Sequence, residues 1–81
     1  MSVLVTGVAG FIGFHVSKRM LEEGFAVCGV DALTDYYDVK LKEDRTNILL
    51  KNPEFCFEKC LLENFDKLHK IVKLFKPEVV I

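Results

Sequence analysis

Eighty-one residues, 51% of them hydrophobic, with eleven Lys and Arg against twelve Asp and Glu for a formal charge of −1, describe one globular unit or a piece of one. That length excludes a two-domain enzyme, and the balanced charge offers nothing that draws the chain to nucleic acid or to an anionic membrane surface. Cys28, Cys56 and Cys60 are odd in number and form no Cys-x-x-Cys pair, so neither a disulfide framework nor a zinc knuckle is expected, and a reducing, cytoplasmic setting is.

Short β-rich apolar runs alternate with longer segments of helical period, which predicts an α/β fold. Val3-Leu4-Val5 reads as a strand covered on both faces and closed by the Thr6-Gly7 turn. A helix follows over about Phe11 to Glu23, with Ile12, Val16 and Met20 at four-residue spacing on the expected inner face, Lys18 and Glu22 elsewhere, and Gly24 as a left-handed stop. Phe25 to Val30 is the second strand and ends at Asp31. A polar loop from Ala32 to Tyr37 leads into a helix over about Val39 to Leu50, with Asp38 as N-cap candidate and Leu41, Ile48 and Leu49 at i, i+7 and i+8. Asn52-Pro53 ends it.

Glu54 to Lys59, where Phe55 and Phe57 alternate with polar or small neighbours, is a third strand nearer an edge. Leu68, Ile71, Val72 and Phe75 at i, i+3, i+4 and i+7 predict the last helix, with Lys67, Lys70, Lys73 and Lys76 turned away and Pro77 just past its end. Glu78-Val79-Val80-Ile81 begins a fourth strand. The β-α-β-α-β-α-β alternation with right-handed crossovers predicts the amino-terminal part of a doubly wound parallel sheet of Rossmann type, strand order 3-2-1-4. A fourth strand left as a bare apolar edge is a liability, so residues 1–81 are expected to be the opening, partial domain of a longer protein, poorly soluble alone. No basic leader or apolar run of membrane-spanning length, roughly 20 residues, is present, so neither secretion nor membrane insertion is expected.

Chemistry concentrates where the first strand meets the first helix. In Thr6-Gly7-Val8-Ala9-Gly10-Phe11-Ile12-Gly13, Gly7 permits a tight turn, Gly10 a close main-chain approach to a ligand, and Gly13 helix packing against the strand without a Cβ collision. The free amides of the helix's first turn, at Phe11, Ile12 and Gly13, would face a pyrophosphate with the positive end of the helix dipole behind them. The spacing is Gly-x-x-Gly-x-x-Gly and lacks the Gly-Lys-Ser/Thr of a P-loop, which disfavours ATP hydrolysis. Asp31, about 20 residues beyond the loop, is placed to accept hydrogen bonds from both hydroxyls of an adenosine ribose. Its charge would repel a 2′-phosphate and no arginine follows it within the loop, so NAD is expected over NADP. Glycines in a turn also have a purely structural explanation; it is the order of strand, loop, helix, strand and acid that favours a nucleotide site.

Other residues read more plainly. His15 and His69 have no ligand-spaced partner and are expected to be solvated or half-buried, with no metal. The cysteines lack a setting that lowers a thiol pKa and are expected to pack. The spaced lysines of the last helix keep it wet, and Asp44 and Arg45, like Glu22 and Glu23, are expected to be surface charges.

The glycine motif, Asp31 and the run Asp35-Tyr36-Tyr37-Asp38-Val39-Lys40-Leu41-Lys42 resemble the amino-terminal part of extended short-chain dehydrogenase/reductases acting on nucleotide sugars. Within these, Phe14-His15-Val16 and the Tyr-Tyr-Asp segment are most similar to the UDP-glucuronate 4-epimerases. The resemblance implies a tightly held NAD that takes hydride from C4 of a UDP-sugar and returns it to the opposite face, an isomerase reaction, in homodimeric relatives. It also implies that the catalytic Tyr-x-x-x-Lys pair and Ser/Thr lie beyond Ile81, so no residue here is assigned a catalytic role. Tyr36 and Lys40 have the Tyr-x-x-x-Lys spacing but sit at the adenosine end. Where the family commonly has Asn after the ribose acid this chain has Ala32, and where it has Gly-Asp after the third strand this chain has Cys60-Leu61-Leu62. Loss of that acceptor implies a cost on the order of 1 kcal/mol in adenine binding. The alternatives are a nucleotide-sugar 4,6-dehydratase or reductase fragment, and a non-catalytic nucleotide-binding module or inert truncated product.

Overall fold

A computed structural model describes residues 1–33 and 39–81. The Tyr36/Lys40 spacing, the Tyr-Tyr-Asp segment and the Asp38 cap all involve residues outside those described. The elements run β1 (Ser2–Thr6), α1 (Phe11–Glu22), β2 (Ala26–Asp31), α2 (Val39–Leu50), β3 (Phe55–Lys59), α3 (Phe65–Phe75) and β4 (Val79–Val80). All pairings are parallel and the sheet order is β3-β2-β1-β4, as the alternation predicts. Leu4 pairs with Cys28 in β2 and with Val80 in β4.

Alternation along β1 and β2 builds two cores, one on each face of the sheet. Val3, Val5 and Val27 point to one side and meet Phe14 and Leu21 of α1, Leu49 of α2 and Phe55. Leu4, Cys28 and Val30 point to the other and meet Ile71 of α3, with Leu68 and Phe75 at the margin. A strand buried on both faces needs apolar residues at every position, which is why β1 reads Val-Leu-Val without a polar break. Each fully buried side chain of this kind contributes about 1.5–3 kcal/mol.

Helix ends follow their local chemistry. Gly24, at φ +87°, takes the left-handed position after α1; its amide bonds Leu21 O (3.0 Å) and the Phe25 amide bonds Met20 O (3.0 Å). α3 opens with Asn64, whose side-chain oxygen accepts from the Lys67 amide (3.2 Å), and closes at Lys76 in a left-handed conformation ahead of Pro77. Among the described residues no helix is long and apolar enough to cross a membrane.

Two inner faces differ from the sequence expectation. On α1 the buried residues are Phe14, Ser17 and Leu21, whereas Ile12 is 76% exposed and Val16 and Met20 are only half-buried. The cause is Gly13. A helix whose Gly13 is pressed against the turn before it must bury positions one, four and eight residues further on, and these are 14, 17 and 21. On α2, Leu41 and Ile48 are exposed; the inward face is Lys42, Arg45, Thr46 and Leu49, so Arg45 is half-buried and not the surface charge its composition suggests. Along α3 the stripe of Leu68, Ile71 and Phe75 packs as expected, with Val72 at its exposed margin.

Candidate functional site

The β1–α1 connection is a turn built from backbone alone. Gly7 has φ +63°, a conformation that a side chain disfavours. The Val8 amide donates to Val30 O (3.2 Å), tying the turn to β2, and the Gly10 amide donates to Gly7 O (3.0 Å). A Cβ on Gly13 would lie 2.3 Å from Gly7 O. The close approach that requires glycine there is therefore to the turn's own carbonyl and not to strand β1. A Cβ on Gly10 would stand 3.2 Å from that same oxygen.

Gly10 is the N-cap of α1 and has no side chain to give; the first intrahelical bond is from Phe14 to Gly10 O (2.9 Å). The amides of Phe11, Ile12 and Gly13 precede it and have no intrahelical acceptor. No acidic residue stands in the first turn, and Phe11 and Ile12 are exposed. A helix start whose amides lack intrahelical acceptors, with no carboxylate in its first turn, has the polarity that favours an anion.

Asp31 is 6% exposed at the tip of β2. Its Oδ2 accepts from the Ala9 amide at 3.0 Å, its Oδ1 accepts from the Leu33 amide at 2.8 Å, and Lys42 Nζ stands 3.6 Å from Oδ1. The acid thus grips the glycine loop directly, and both features face the same corner. A carboxylate has about four acceptor positions; among the described residues two are met, one on each oxygen, by the Ala9 and Leu33 amides, and Lys42 at 3.6 Å adds an ion pair beyond hydrogen-bond distance. Arg45 completes the frame by donating from Nη1 to Ala9 O (3.2 Å), so both polar groups of the Ala9 residue are held.

Sequence reading assigned none of Lys42, Arg45 and Gly29 to the site, and it placed Arg45 among the surface charges, whereas Arg45 is half-buried against Ala9 O. Lys42, Arg45 and Thr46 at i, i+3 and i+4, on the same helical face of α2 as the buried Leu49 at i+7, were the available signal for the first two. Gly29 is needed because a Cβ there would lie 2.6 Å from the methyls of the buried Val8.

Beyond Asp31 the Cys60 amide donates to Asp31 O (3.1 Å), joining the end of β3 to the tip of β2. A cleft of about 330 Å³ opens there, lined by Ala32, Lys59, Cys60, Leu61, Asn64 and Lys67. A second cleft, lined by the last turns of α1 and α2, lies at the opposite edge of the sheet, away from the strand carboxyl ends where open α/β sheets bind ligands.

The three thiols are free. Cys28 and Cys56 are register partners on β2 and β3, and burial, with Cys56 and Glu58 beside it, pushes the Cys28 thiol well up, so it stays protonated. Among the described residues no group of three His, Cys, Asp or Glu is placed to hold a metal. His15 is exposed, its Nδ1 2.8 Å from Phe11 O, and His69 is exposed on α3.

Strand order, glycine turn and acid together define a Rossmann-type dinucleotide fold. The chain belongs to the NAD dependent epimerase/dehydratase family, which it matches over residues 3–81. It is 48% identical over 81 residues to a probable UDP-glucuronate 4-epimerase of Rhizobium meliloti, covering all of this chain and 24% of that protein. A crystal structure of UDP-glucuronic acid 4-epimerase from Bacillus cereus, with UDP-glucuronic acid and NAD, superposes with a TM-score of 0.86 at 33% identity, over 100% of this chain and 25% of the other. The dTDP-glucose 4,6-dehydratase of Bacillus anthracis, in complex with NAD, gives 0.83 at 32% identity, over 99% and 25%. The chain spans about a quarter of the length of the curated relatives it matches.

Proposed function

We propose that residues 1–81 are the partial NAD-binding domain of a cytoplasmic nucleotide-sugar epimerase of the UDP-glucuronate 4-epimerase kind, a homodimer in its complete form. The observation that carries this reading is the Asp31 carboxylate bonded to the Ala9 amide, beside open amides at the start of α1. In it the diphosphate of NAD lies against the amides of Phe11, Ile12 and Gly13, with Gly7 and Gly10 giving the turn its shape. Asp31 accepts from the ribose hydroxyls with the acceptor positions that the Ala9 and Leu33 amides leave, and Lys42 keeps the carboxylate oriented. A 2′-phosphate would meet that carboxylate, which favours NAD over NADP. When bound, NAD supplies reversible hydride acceptance at C4 of a UDP-sugar. The residues described here bind and orient; none is assigned a proton transfer.

Identity to the Rhizobium meliloti and Bacillus cereus proteins supports the epimerase over other activities. Likeness to the Bacillus anthracis protein keeps a 4,6-dehydratase as the second reading, since both chemistries share the cofactor half of the site. A non-catalytic module is the third. The deciding experiment has two parts: assay of the intact protein for C4 inversion of UDP-glucuronate, and titration with NAD. Tenfold or greater loss of NAD affinity is expected in Asp31→Ala and complete loss in Gly10→Val, whose side chain would stand in the diphosphate's approach. An unchanged dissociation constant in either variant refutes the assigned site.

A further inference from the structure

The inward face of α2 is polar, and its three polar side chains have different work. Lys42 pairs with Asp31 Oδ1 (3.6 Å), the buried Thr46 hydroxyl donates to Lys42 O (2.9 Å), and Arg45 Nη1 donates to Ala9 O (3.2 Å). The first contact orients the ribose acid and the second stays within the helix. The third crosses from α2 to the glycine turn, 36 residues back along the chain.

The carbonyl that Arg45 holds belongs to the peptide leading into Gly10, the N-cap of α1. The N–H of that same peptide donates to Gly7 O (3.0 Å), so the unit is gripped at both ends, and the amide one residue earlier, that of Ala9, is held by Asp31 (3.0 Å). Gly10 sits at φ −76° and ψ 170°, and the absence of a Cβ leaves it many other conformations. Rotation there re-aims the amides of Phe11, Ile12 and Gly13 relative to the turn. Bonds from outside must therefore fix what a side chain would otherwise restrict. Ala9 is wholly buried, so bulk water does not serve its carbonyl in place of the guanidinium.

We propose that Arg45 is a positioning residue for the cofactor's diphosphate: acting through Ala9 O, it fixes the entry into α1 and so presents the amides of Phe11, Ile12 and Gly13 to the anion in one arrangement. The inference rests on the assignment of the diphosphate to those amides, made above. Arg45 acts on the turn and not on the ribose, because Asp31 is oriented by Leu33 and Lys42 as well as by Ala9.

Titration of the nucleotide-free intact protein with NAD and with adenosine, which carries the ribose but no diphosphate, tests this in the wild type, Arg45→Met and Arg45→Lys. Methionine keeps an apolar stem and removes the donor; NAD affinity is expected to fall about tenfold, with adenosine affinity held within about twofold. Lysine returns a charged donor on a shorter reach and should recover part of the NAD affinity. In nucleotide-free Arg45→Met the amide resonances of Gly10, Phe11 and Ile12 should move while those of α3 hold, whereas a guanidinium that only attracted the diphosphate by its charge would leave them in place. Unchanged NAD affinity in Arg45→Met, equal losses for NAD and adenosine, unmoved turn resonances, or no recovery in Arg45→Lys overturns the inference and leaves the cofactor reading intact. Should Arg45→Met fail to fold, Arg45→Lys decides: its affinity for NAD relative to adenosine is expected to fall, and an unchanged ratio overturns the inference. A wild-type protein that binds no NAD overturns the cofactor reading and this inference with it.

Discussion

The two loops at the carboxyl edge of the sheet are built by opposite means. Between β1 and α1 the chain closes on itself through glycine backbone, and the side chains that hydrogen-bond it among the described residues, Asp31 and Arg45, arrive from elsewhere in the sequence. Between β3 and α3 one long-range backbone bond, Cys60 to Asp31 O, is joined by side-chain bonds that are all local: Cys60 to Leu61 O, Lys67 to Lys59 O and the Asn64 cap. The first loop leaves the Phe11, Ile12 and Gly13 amides without intrahelical acceptors beside the buried Asp31 carboxylate; the second lines a cleft with its own residues. A corner made of long-range contacts should fail as a unit, whereas a corner made of local ones should lose its parts one at a time.

Four perturbations bear on that contrast. Gly13→Ala should be the most damaging, because its Cβ would sit 2.3 Å from a main-chain oxygen that cannot swing away. A loss of about 3 kcal/mol in a denaturant melt is expected, together with loss of NAD binding. Asp31→Ala should come next, at about 2 kcal/mol, because it leaves the buried Ala9 amide unpaired and Lys42 without its partner. Amide exchange at Ala9, Gly10 and Phe11 should rise together in this variant, which distinguishes a corner that fails as a unit.

Asn64→Ala should cost only about 1 kcal/mol, and faster exchange should stay within the first turn of α3. The smallest effect is a pH dependence. The Cys28 thiol is raised above its ordinary value in the folded chain, so its contribution is complete below the unfolded-state value and is lost as pH rises through and beyond it, when only the unfolded thiol ionises. Stability should fall by about 0.4 kcal/mol between neutral pH and pH 9 through this group, and the comparison with Cys28→Val isolates the slope.

The fold was readable from local pattern because parallel strands buried on both faces are continuous apolar runs, as in Val3-Leu4-Val5, and because Gly24, Pro53 and Pro77 mark element ends. Helix orientation was less readable. Apolar spacing favoured Ile12, Val16 and Met20, but the backbone contact at Gly13 decides which face of α1 turns inward, and a three-dimensional contact leaves no periodic trace. At the candidate site, Gly7, Gly10, Gly13 and Asp31 were legible from order and spacing. Lys42 and Arg45 were not, since their work is done on α2 against partners 11 and 36 residues away, Asp31 and Ala9. They are polar residues on a buried helix face, which composition alone reads as surface.

In the proposed site the amides of Phe11, Ile12 and Gly13 receive the cofactor's diphosphate. Backbone amide resonances followed during an NAD titration of the intact protein test this most directly. These three should shift most, in step with saturation, and the Asp31→Ala variant should require far more NAD to reach the same endpoint. Saturable NAD binding that leaves all three unmoved would contradict it.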